Sequence, residues 1–136
     1  VKDAVGVPVV ANGDIVDLAA AKTALRQSGA DGVMIGRGAQ GAPWVPAEIA
    51  AGLEGRAFAP PTNAERIDLM IEHYEAMLAF YGADLGVRVS RKHLGWWLER
   101  MPGGAITRGK VMRMKDPKEV IATLATTTAI EEEIAA

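Results

Sequence analysis

"VPVVANGDIVD", Val7 to Asp17, and "GVMIGRGAQG", Gly32 to Gly41, are two short apolar runs that each end in a cluster of glycine and polar residues. Apolar runs without alternation predict strands buried on both faces, here Val7 to Ala11 and Gly32 to Ile35. From about Asp17 to Ser28 the sequence predicts a helix, ended by Gly29. A strand, helix, strand order with short connections is a right-handed parallel unit. Two strands cannot bury both faces of a sheet, so this order predicts further strands upstream.

The composition sets the outer limits. The chain has 136 residues, 49% hydrophobic and 24% charged, as in a soluble globular protein of about one ordinary domain. No apolar run approaches the roughly 18 residues of a membrane span, which argues against a membrane role. "VKDAVGVPVV" has no initiating Met and no basic region followed by an apolar stretch, so it reads as an internal start rather than a targeting segment. There are no cysteines, which excludes a disulfide framework and thiolate metal sites and makes the cytoplasm the simplest compartment.

Charge is unevenly spread. Between Arg88 and Lys118 stand nine Lys or Arg against two acids, Glu99 and Asp116, a net of +7; the net charge of the chain is -2, so the remainder carries -9. One basic face on an acidic body suits a polyanion; ordinary solvated helices are the other reading of the same run.

A second half begins after "GLEGRAFAPPTNAE", where Gly52, Gly55, Pro60 and Pro61 mark a connector. Thr62 followed by Glu65 is a capping-box pattern, and Ile67, Met70, Ile71, Tyr74, Met77, Leu78 and Tyr81 recur at helical spacing until Gly82. Val87, Leu94, Trp97, Leu98 and Met101 share one face of a second helix, with Arg88, Arg91, Lys92 and Glu99 mostly on another; Pro102, Gly103 and Gly104 end it. Two shorter helices follow, about Arg108 to Met114 and Pro117 to the C-terminus, with Asp116 a cap and Pro117 in the first turn. Thr126 to Thr128 and Glu131 to Glu133 read as helix-end features.

The loops after the two strands carry the candidate chemistry. In a barrel of parallel strands, phosphate groups sit at the loops after the last two strands. Gly13, Gly36, Gly38 and Gly41 allow close backbone approach, and Arg37 adds an always-charged planar donor. Asn12 offers donor and acceptor groups, and Asp14 accepts from a hydroxyl or holds the loop. Each loop alone is also ordinary turn chemistry; the pair, one helix apart, points to a phosphate site.

"VPVVANGDI", "GADGVMIGRGAQGAPW" and "RKHLGWW", in this order and spacing, resemble the C-terminal part of bacterial tRNA-dihydrouridine synthases, most closely the B-type subfamily. The resemblance covers nearly the whole chain and fades over the last twenty or so residues. It implies α/β plus all-α architecture: the last two β/α units of a truncated TIM barrel, strands seven and eight of an FMN-binding (β/α)8 barrel in residues 1–55, followed by a C-terminal helical bundle domain for tRNA recognition in residues 56–136. It implies an oxidoreductase that reduces uridine to 5,6-dihydrouridine in tRNA. NADPH would reduce FMN, hydride would pass to uracil C6, and a cysteine in an upstream loop would protonate C5. That cysteine is absent from this chain, so no catalytic residue is assigned and the chain alone is expected to be inactive. Residue by residue, the resemblance gives Asn12, Gly13 and Asp14 to the FMN site and Gly36 with Arg37 to its phosphate. Arg88, Arg91, Lys92 and His93 would face tRNA.

Two alternatives stay open from the residues: another FMN- or phosphate-binding barrel oxidoreductase on a small metabolite, and a non-catalytic RNA-binding helical module. His73 reads as a surface or partly buried helix residue; for His93, RNA contact and plain helix surface are both open. Trp97 falls on the apolar stripe, Trp96 is open as a base-stacking residue, and Trp44 is expected to pack the short helix after it. The two strands are expected to fray, to rearrange, or to pair between copies in self-association, while the helical half folds by itself.

Overall fold

The computed structural model describes residues 2–127. They form two compact units, one up to Pro60 and one from Pro61 on. The expected features at Thr128 and Glu131 to Glu133 lie outside the described residues.

In the first unit, strand β1 (Val10–Asn12) pairs in parallel with β2 (Gly32–Met34), Val10 opposite Gly32, Ala11 opposite Val33 and Asn12 opposite Met34. The strands therefore do not fray or rearrange but pair with each other. They are shorter than predicted, and the start of β1 has a local cause. Pro8 has no N–H to donate, and the Val9 N–H donates to the Asp31 carboxylate at 2.7 Å instead of to a ladder. The Asp31 N–H donates back to the Val9 carbonyl, and Lys2 Nζ closes on Asp31 at 2.7 Å. The lysine bond and the Val9 N–H together hold the Asp31 carboxyl below its ordinary value.

Helix α1 (Leu18–Ser28) crosses between the strands as predicted. Asp17 caps it by accepting from the Ala20 N–H at 2.7 Å, and Gly29 ends it. Helix α2 (Val45–Leu53) follows a single 3-10 turn at Arg37–Ala39. Ile15, Ala21, Ala42, Val45 and Ile49 form the core, and Val33, Ile35 and Trp44 pack against it. Burial on both faces is corrected here. Val10 and Met34 are 60% and 48% exposed. Side chains alternate across a strand, so Val10, Asn12 and Met34 share the face away from Ala11 and Val33, and the two helices cover only one face.

The second unit is helical: α3 (Asn63–Tyr81), α4 (Ala83–Glu99), α5 (Gly104–Val111) and α6 (Pro117–Ala125). The Thr62 hydroxyl accepts from the Glu65 N–H while the Glu65 carboxylate accepts from the Thr62 N–H, the reciprocal pattern the sequence announces. These bonds hold the Glu65 carboxyl below its ordinary value. Met70, Tyr74, Trp97, Leu98, Val111, Val120 and Leu124 are buried, bringing together α3 with α4 and α6, and α5 with both α4 and α6.

Helix α5 begins at Gly104, four residues before the predicted start. Gly103 takes a positive φ of 65°, which turns the chain, and a Cβ at Gly104 would run into the Leu98 carbonyl. The two glycines thus make a tight α4–α5 corner instead of a longer loop. Helix α6 starts as read: Asp116 accepts from the Lys118 N–H at 2.8 Å and Pro117 occupies the first turn.

Candidate functional site

In the first unit the two strand ends are adjacent because the strands pair in parallel. Asn12 closes β1 and Gly13 and Asp14 turn away from it, Asp14 at a φ of +45° that is unusual outside glycine. After β2, Arg37 lies in the 3-10 turn, and its Nη2 meets Asp14 Oδ1 at 2.6 Å. Both side chains are about 80% exposed. The fold thus joins two loops 23 residues apart by one ion pair at the strand ends.

Gly38 explains how the loops come so close. It is buried, and a Cβ there would collide with the Ile15 carbonyl just after the Asn12-Gly13-Asp14 turn. Gly13 and Gly36 are different: the space where a Cβ would stand is open at both, so their backbone is accessible. An exposed arginine beside two bare backbone segments is a donor set suited to an anionic oxygen group.

In the second unit, the four predicted RNA-facing residues divide. Arg88 and Arg91 line a cleft of about 240 Å³ with Asp84, Val87 and Lys115. Arg91 is half-buried. Its Nη2 donates to the Met114 carbonyl at 3.3 Å, which ties the connection after α5 to α4 and brings Lys115 beside the arginines. Lys92 is exposed on α4. His93 faces elsewhere: its ring stands edge-on to His73 and to Trp96, with centroids 5.2 and 5.1 Å away.

That ring cluster is held from beneath. Trp97, 3% exposed, donates from Nε1 to His73 Nδ1 at 3.2 Å, so this nitrogen is unprotonated and accepting. Burial pushes the His73 pKa below its ordinary value, and burial, His73 and Lys92 do the same for His93. Trp96 is half-buried against His93 instead of standing free. Among the described residues the Tyr74 hydroxyl and Arg91 Nε are buried without a protein partner. Burial and the Asp116 carboxylate raise the Tyr74 pKa, and the Arg91 charge partly offsets them.

Lys115 is the cation of the cleft that sequence reading did not single out, and Asp84 is its unforeseen acid. The signal for Lys115 was the basic run from Arg88 to Lys118, but a count of charges does not say which of nine cations meet. Arg108 is a second case: it lies across α4 against Gly95 and pairs with Glu99 at 3.7 Å.

The sequence pattern of the family described as dihydrouridine synthase (Dus) matches residues 1–135. The chain belongs to the dihydrouridine synthase family. Its relatives include a probable tRNA-dihydrouridine synthase of Rhodobacter capsulatus, 56% identical over 125 residues, 91% of this chain and 38% of the relative. One from Rickettsia conorii is 49% identical over 88% of this chain and 37% of the relative. A tRNA-dihydrouridine synthase B of Xanthomonas axonopodis pv. citri is 46% identical over 90% of this chain and 37% of the relative. This chain thus spans a little over a third of the length of the synthases it matches. The resemblance read from three motifs is therefore borne out at the level of family. No helix among the described residues is long and apolar enough to cross a membrane.

Proposed function

We propose that this chain is the C-terminal part of a tRNA-dihydrouridine synthase, an FMN-dependent oxidoreductase that reduces a uridine of tRNA to 5,6-dihydrouridine with NADPH as reductant. The observation that carries this is the match to synthases over about nine-tenths of the chain, at 56% identity in the Rhodobacter relative. The geometry supports it. A parallel strand pair with helices on one side is what two consecutive units of a (β/α)8 barrel look like, and its open face, with Val10, Asn12 and Met34, corresponds to the barrel interior. The unit up to Pro60 is then the end of the barrel and the unit from Pro61 on a helical tRNA-recognition domain.

On this reading Asn12, Gly13, Asp14, Gly36 and Arg37 belong to the FMN site, with Arg37 and the accessible backbone at Gly36 holding the phosphate. The Asp14 carboxylate keeps the guanidinium at the strand ends. Bound FMN would supply hydride chemistry, accepting from NADPH and donating to the uracil. On this reading the cysteine that would protonate uracil C5 is missing, since none of the 136 residues is a cysteine. The chain alone is thus inactive in uridine reduction. Arg88, Arg91 and Lys92 engage tRNA phosphates in a cytoplasmic enzyme, while His93, its ring against His73 and Trp96, stands apart from Arg88 and Arg91. The outer edges of β1 and β2 offer unpaired backbone for self-association of the isolated chain.

The test is binding of the chain to unmodified tRNA at two salt concentrations, beside a variant with Arg88, Arg91 and Lys92 changed to Ala. Counterion release makes binding fall steeply with salt, and the variant is expected to lose it. Equal binding by both proteins would remove the basic face from tRNA recognition.

A further inference from the structure

We propose that the cleft between α4 and the α5–α6 connection is a seat for one phosphate group, held jointly by Arg88, Arg91 and Lys115, with Lys115 completing it. The choice of an RNA backbone as the phosphate's source rests on the function proposed above; the seat itself rests on the geometry.

Three cations line a cleft of about 240 Å³ that contains one carboxylate, Asp84. Among the described residues no acid stands in an ion pair with Arg88 or Lys115, and Asp116, the nearest acid in sequence to Lys115, accepts from the Lys118 N–H as a helix cap. Charges of one sign gathered in a concave site with so little compensation favour an anion. Arg91 is held in position from one side only. The bond to the Met114 carbonyl uses one of its five N–H donors. The same bond fixes the residue preceding Lys115, so the lysine is delivered by the backbone and not by chance surface proximity. Lys92 and His93 lie outside this seat, Lys92 exposed on α4 and His93 against His73 and Trp96.

The experiment follows the arginine Nε–Hε signals of the whole chain by NMR while inorganic phosphate is added, in the wild type, Lys115→Ala, Lys115→Arg and Lys110→Ala. Lys115 and Lys110 are both exposed, so neither alanine change threatens folding. Saturable movement of the Arg91 signal is expected in the wild type, weakened about ten-fold by Lys115→Ala, restored by Lys115→Arg and untouched by Lys110→Ala. The same four proteins are then titrated with tRNA. Lys115→Ala is expected to weaken binding and to lower the salt slope by about one, more than Lys110→Ala does. Phosphate binding that depends on Lys115 without any tRNA binding would keep the seat and overturn RNA as its source. Binding of tRNA that Lys115→Ala leaves intact, with no response of Arg91 to phosphate, would overturn the seat and leave the RNA reading standing.

Discussion

The two units of this chain solve the burial problem differently. In the helical unit each helix satisfies its own backbone and needs only one apolar stripe covered, and four helices do this for one another: Met70, Tyr74, Leu98 and Leu124 are almost wholly removed from solvent. In the strand unit, two strands leave an unpaired edge on either side, and two helices cover a single face. Val7, Val10 and Met34 stay exposed there although they are as apolar as anything in the helical core. The contrast teaches that apolar sequence alone does not determine burial. A helix carries its hydrogen bonds with it, whereas a strand borrows both its bonds and its second face from neighbours.

The strongest way to break this comparison is to cut equivalent side chains in the two units. Leu98→Ala removes a side chain that is 1% exposed and is expected to cost about 2–5 kcal/mol of the helical unit's stability by denaturant unfolding. Val10→Ala, at a strand position 60% exposed, is expected to change stability by no more than about 0.5 kcal/mol. Comparable losses at both sites would mean that the open face of the sheet is covered in solution.

A smaller effect tests whether local signals work alike in both units. Thr62→Ala removes the hydroxyl of the capping box and is expected to cost about 1 kcal/mol in the helical unit, read as a lowered denaturant midpoint with unchanged slope. Asp17 caps α1 in the same manner, so Asp17→Ala should lower the strand unit's stability without touching the helical one.

The smallest expected effect separates the units by pH. His73 and His93 both have pKa values lowered from an ordinary 6.5, so below that value the unfolded chain takes up more protons than the folded one. Stability of the helical unit is therefore full above 6.5 and declines as the pH falls toward the folded-state values. The stability contributed by the lowered carboxyls of Asp31 and Glu65 is lost only as the pH falls below their ordinary 3.8 and 4.5, which leaves a window for the histidines alone. Fluorescence of Trp97, the partner of His73, should follow this loss, and His73→Phe should flatten it. The strand unit, which contains neither histidine, should show no change in that window.

The division between what was legible and what was not runs along sequence separation. Asp17, Gly29, Thr62 with Glu65, and Asp116 with Pro117 mark helix ends at the predicted places, because a cap and its partner lie within four residues and no distant packing is needed to join them. The family resemblance was equally legible in three motifs. The start of α5 was not, since a Gly-Gly pair reads as a helix stop, and only the approach to the Leu98 carbonyl makes Gly104 the first residue of the next helix.

By itself the sequence determined both ends of α1 and α3 and the start of α6, that a strand, helix, strand unit precedes a helical half, and which of its residues carry the charge. Tertiary structure alone decided which of those residues meet. Arg37 finds Asp14 across 23 residues, Arg91 reaches Met114 across another 23 and so brings in Lys115, and Trp97 bonds His73 across 24. The physical reason is the same in each case. A cap is chosen by backbone geometry within one turn, while these contacts form only after loops close and helices pack, and a linear charge pattern is compatible with many such closures.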